Sequence, residues 1–136
     1  MADRLSTADP RLSDSLEAAT PELRSRAATL AVQAAVSSTD LYHDDGLKAL
    51  DPHDLPSLRA LVETLDNEYF DLQDKLELGQ TAESRVDAAF GKARSASSLV
   101  FLAEGDTSEA IYEALSAVPD PTTILTLIKQ ALTPSA

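Results

Sequence analysis

A chain of 136 residues with a formal charge of −12 and no cysteine fits one domain and excludes disulfides, thiolate metal sites and thiol catalysis. Hydrophobic residues at 43% supply a core, while aromatics at 4% and only four glycines favour helix over sheet, so the expected fold is all-α. An excess of 23 acids over 11 Lys and Arg disfavours direct binding to nucleic acid or to an anionic membrane, and leaves a basic protein as the partner that charge permits.

Residues 1–19 are polar and broken by Pro10. They read as a partly disordered or short helical segment, with Asp9-Pro10 capping a turn through Leu16 and nothing to fix the first eight residues. The opening residues lack the apolar stretch of a secretory leader, and no run approaches the roughly 18 apolar residues of a membrane span, so the cytoplasm is the expected compartment.

The helical domain is placed at 20–134. Thr20-Pro21-Glu22 carries an N-cap, a first-turn proline and an acid that complements the helix dipole, and predicts a helix to about Ser38. Its small residues, Ala27, Ala28, Ala31, Ala34 and Ala35, would let a neighbour approach closely. Asp40 to His53 is irregular, punctuated by Gly46 and Pro52, with Leu41, Leu47 and Leu50 as loop residues that plug a core.

A long helix near 54–78 follows, with Asp54 as N-cap, Pro56 in the first turn and Gly79 just past its end. Leu55, Leu58, Val62, Leu65, Tyr69, Leu72 and Leu76 alternate at spacings of three and four, a heptad-like stripe about 37 Å long. A central helix near 81–104 should be capped by Thr81 and ended by Gly105, with Gly91 weakening its middle or marking a close crossing. Its Ser98–Ala103 stretch is apolar around the whole circumference, which places the centre of the bundle there. Asp106-Thr107-Ser108-Glu109 reads as a capping box for a fourth helix ending before Pro119. Asp120-Pro121 starts a fifth helix ending at Pro134. Short connections make neighbours antiparallel, and the expected architecture is an antiparallel bundle of four to five helices, with the long helix packed on the central one.

Little in this chain points to catalysis. It has no GxSxG elbow, no Ser-x-x-Lys and no phosphate-binding glycine loop. The loop residues His43, Asp45 and His53, with Asp44, Asp51 and Asp54 nearby, are the one candidate set of metal ligands. Their spacing matches no compact motif. Placing Gly46 at position six of a calcium loop puts Leu41 at position one and Pro52 at position twelve, which fails the ligand pattern. Turns and helix caps account for these residues, and no cofactor is expected.

The reading these features favour is a small acidic helical module for protein interaction or regulation, not a catalyst. Antitoxin-like or immunity-like binding of a basic protein is one concrete form. Glu63, Asp66, Phe70, Asp74 and Glu77 share the side of the long helix away from the leucine stripe and are the candidate partner-binding residues. Phe70 lies about 120° from the middle of that stripe, among acids. It is either covered by a second helix, the preferred reading, or exposed as an anchor. Two alternatives stand beside this one. The first is a divalent-metal-dependent enzyme or ligand-binding protein using the His43–Asp54 loop. The second is a self-associating homodimer through the long helix.

Overall fold

The computed structural model describes residues 4–39, 41 and 54–133. Among them are seven helices and no strand: α1 (Arg4–Ala8), α2 (Pro10–Ala18), α3 (Pro21–Ser38), α4 (Leu55–Glu77), α5 (Glu83–Glu104), α6 (Thr107–Ser116) and α7 (Thr122–Leu132). The five from α3 onward form the all-α bundle, with α1 and α2 packed on each other and α1 also on α6. The helix α5 touches α3, α4 and α6, which makes it the central helix.

Most helix ends are set by the local signals. Thr20 Oγ1 accepts from the Leu23 N–H at 3.3 Å, and Asp54 accepts both the Ser57 N–H, at 3.3 Å, and the Ser57 hydroxyl, at 2.6 Å. Asp106 Oδ1 accepts from the Glu109 N–H at 3.2 Å. Two helices end on left-handed glycines, Gly79 at φ 71° and Gly105 at φ 80°. In each, the N–H beyond the glycine returns to the last turn: Gln80 to the Lys75 carbonyl at 2.8 Å and Asp106 to the Phe101 carbonyl at 2.9 Å, a Schellman arrangement.

Three ends differ from expectation. The helix α5 begins at Glu83 after Ala82, with no side-chain cap; the Thr81 hydroxyl is buried and makes no hydrogen bond. At α7, Pro121 takes the cap position, while the exposed Asp120 accepts from the Thr122 hydroxyl and N–H. Those two bonds, the hydroxyl first, hold its carboxyl below the usual aspartate range. At the N-terminal end, Arg4–Ala8 is helical and Leu5 is 1% exposed, because the α1 apolar side chain has the bundle core to enter.

Packing starts from small residues. Ala27, Ala28, Ala31 and Ala35 of α3, with Ala110 and Ala114 of α6, are all fully buried and permit close helix approach. Leu5, Val32, Leu41, Ile111 and Ile128 fill the remaining space, each contributing roughly 1.5–3 kcal/mol by burial. Leu41 therefore plugs the core as its loop position implied; Leu47 and Leu50 lie outside the described residues. The most buried part of α5 runs from Gly91 to Val100, about two turns ahead of the all-apolar stretch. Serines line it. Ser95 Oγ meets the Ala35 carbonyl at 3.1 Å and Thr39 Oγ1 at 2.7 Å, and Ser98 Oγ bonds the Ser95 carbonyl at 2.6 Å. The Ser95 and Ser98 hydroxyls are thereby satisfied, the first of them across the α3–α5 crossing.

Gly91 is the close crossing. A β-carbon there would sit 2.8 Å from the Ala117 carbonyl oxygen and 3.3 Å from Thr39 Cγ2. Thr39 caps the end of α3 and Ala117 the end of α6, so both helices stop against α5 at this one residue. Gly91→Ala gains about 1 kcal/mol of helix propensity but overpacks the contact by about 1–3 kcal/mol. The expected net result is a lower thermal midpoint, by about 3–5 °C per kcal/mol lost in a chain of this size. A midpoint that rises instead would show that the α3 and α6 ends can move off α5.

Candidate functional site

Beyond Gly91, among the described residues, α3 and α6 end and α4 and α5 continue as a two-helix hairpin. Between Asp66 and Phe90 only Val86 is buried. The principal neighbour of α4 among the described residues is α5; Leu58, Leu61 and Leu65 are its buried residues, and Leu61 and Leu65 join the core. The leucine stripe therefore serves the core for its first three turns only. Farther along, Tyr69 and Leu72 are half-buried against α5, and Leu76 is exposed.

Phe70 is 56% exposed, and no second helix among the described residues covers it, contrary to the preferred reading of its position. Phe70 shares its side of α4 with Arg59 and Glu63, which are exposed as well, and α4 packs chiefly on α5. Phe90, on the core-facing side of α5 by its spacing, is 37% exposed because α3 and α6 both stop against α5 at Gly91. Tyr69 lies between the two rings, with its centroid 5.5 Å from Phe70 and 5.3 Å from Phe90. The rings form one continuous aromatic surface drawn from both helices. The Tyr69 hydroxyl accepts from Gln73 Nε2 at 2.7 Å, which fixes its outer edge.

Acids surround this surface on α4. Relative to Phe70, Glu63 and Asp66 lie seven and four residues before, and Asp74 and Glu77 four and seven after, all on the same helix face. Glu63, Asp74 and Glu77 are exposed. Asp66 is not available in the same way. It is half-buried and bound at 2.8 Å by Arg94 Nη2.

That bond is one end of a charge network that the helical patterning did not single out. Arg94 also donates through Nη1 to both Glu113 oxygens, at 3.3 and 3.2 Å. Glu113, 2% exposed on α6, accepts as well from Arg4 Nη2 at 2.7 Å. Arg4 donates to Glu109 Oε2, from Nε at 2.8 Å and from Nη2. Its guanidinium lies 4.4 Å above the Tyr112 ring. The hydrogen bond to Glu109 raises the Arg4 pKa above its ordinary value; desolvation opposes this and Glu113 adds to it. The chain Asp66–Arg94–Glu113–Arg4–Glu109 thus joins α1, α4, α5 and α6. It holds the base of the hairpin in place, and Arg94 lies 5.9 Å from the Phe90 ring centroid. A signal was present in the sequence: Glu113 sits between Ala110 and Ala117, three after one and four before the other, on the apolar side of its helix.

No model of a protein family, no curated protein and no solved structure matches this chain. The metal-ligand candidates His43, Asp45 and His53 lie outside the described residues. Among the described residues no group of three or more His, Asp or Glu is placed to hold a metal ion, and no helix is long and apolar enough to cross a membrane.

Proposed function

We propose that this chain is a non-catalytic protein-interaction module, and that it presents the acidic, aromatic tip of the α4–α5 hairpin to a basic protein partner. The observation that carries this is Phe70, more than half exposed beyond the end of the bundle and flanked by acids one and two turns away on both sides. A large side chain of this kind, ringed by charge, has the character of an interface anchor. The tip can take a partner without disturbing the fold, because its residues contribute little to the core. Neutralising a basic protein, in the manner of an antitoxin or immunity protein, is one form such a module takes. The cysteine-free composition accords with a cytoplasmic setting.

The test uses the triple variant Glu63→Lys, Asp74→Lys and Glu77→Lys, and leaves Asp66 in place because it holds Arg94. The wild-type chain should retain a basic protein from a lysate of its source, identified by mass spectrometry. The variant should retain at least tenfold less, with unchanged helix content and melting. Equal retention of the same protein by the variant would refute the proposal and reduce the acidic face to solvation.

A further inference from the structure

We infer that the occupant of the hairpin tip is a basic amphipathic helix of about 14 residues, laid over Tyr69, Phe70 and Phe90 with its cations against Glu63, Asp74 and Glu77. This rests on the interaction reading above and specifies the partner's shape. Below Gly91, α5 has α3, α4 and α6 around it; above Gly91 it has α4 alone among the described helices. The tip is two helices of what elsewhere in the molecule is a larger packing unit. Its rings come from both helices and are joined through Tyr69, so the surface that needs covering runs across the pair. One further helix set against a helical pair buries such a surface by the packing already used between α3, α5 and α6. The available length is that of the acidic face. From Glu63 to Glu77 is about 21 Å, which a helix of about 14 residues matches.

Charge decides between a foreign helix and a second copy. Residues 63–90 hold eight acids, Glu63, Asp66, Glu68, Asp71, Asp74, Glu77, Glu83 and Asp87, against two bases, Lys75 and Arg85. Two tips brought together would set these acids against one another, and like charges juxtaposed at an interface act against association. A basic helix meets the opposite sign along the whole face.

The test takes the full chain and a dye-labelled 14-residue peptide of leucine and lysine with leucines at helical spacings of three and four. The control peptide has the same composition with leucine and lysine strictly alternating. By fluorescence anisotropy, the helical peptide should bind at least tenfold more tightly than the alternating one. Phe70→Ala should weaken it at least tenfold while leaving the melting curve in place, since Phe70 is exposed. Phe90→Ala should weaken it as well. Equal binding of the two peptides, or indifference to Phe70→Ala, overturns the helical occupant. If binding is then still abolished by the triple charge reversal, the basic-partner reading stands without it; if binding also survives the reversal, both fall. A dimer seen by sedimentation and dissociated by Phe70→Ala would assign the tip to a second copy and overturn the inference.

Discussion

Glu113→Ala should lower the stability of the chain by about 3 kcal/mol, against a total of about 5–15 kcal/mol for a domain. In urea this moves the midpoint down by about 1–2 M with little change in slope. The carboxylate is 2% exposed and accepts from both Arg94 and Arg4, so its removal leaves two guanidinium groups facing a site that no longer neutralises them. Breaking a buried pair costs about 3–5 kcal/mol, chiefly through the stranded partner. The lower end applies here. Arg4 is nearly half exposed and keeps Glu109, and Arg94 keeps Asp66. Glu113→Gln retains the shape and one acceptor and should fall between the two. A midpoint for Glu113→Ala that stays at the wild-type value would mean that solvent and the outer carboxylates already hold both arginines.

The network also shows where the sequence stops being informative. Arg4 and Glu113 are 109 residues apart, and Arg94 and Asp66 are 28 apart. No local rule couples positions at those separations. Helix ends are different: Thr20, Asp54 and Asp106 bond to an N–H three residues on, and Gly79 and Gly105 act within one turn. Those features were legible because cause and effect lie in the same short segment. Thr81 shows the limit even there: a capping residue type stands at the right place, and the helix starts two residues later without it.

The candidate site was half legible. The acids and Phe70 on one side of α4 follow from helical periodicity. Phe70's exposure does not, because it depends on α4 having α5 as its chief neighbour, which is a tertiary fact. Phe90 belongs to the aromatic surface for another non-local reason: α3 and α6 end against α5 at Gly91, through Thr39 and Ala117. Asp66 has the periodicity of a surface acid, and its partner Arg94 comes from another helix.

Two leucines on one face of α4 should therefore behave as if they belonged to different proteins. Leu65 and Leu76 are eleven residues apart, about three turns, and point the same way from the helix. Leu65 is 2% exposed and part of the core; Leu76 is 36% exposed at the tip. Leu65→Asp removes a buried side chain, for about 2–5 kcal/mol, and sets a carboxylate among apolar neighbours, which adds to that. The sum, on the order of 5 kcal/mol, rivals the whole stability of the domain, and the variant should lose its helical circular dichroism at room temperature. Leu76→Asp should change stability by no more than about 0.5 kcal/mol, as at an ordinary surface position. A coiled-coil seam running the length of the stripe predicts something else: both variants would dissociate a dimer in sedimentation while the helices persist. Comparable losses of stability at the two positions would instead mean that the tip is covered as well as the base. The hairpin requires collapse of the fold at Leu65 and near-silence at Leu76, because the apolar pattern of α4 continues past the part of the helix that enters the core.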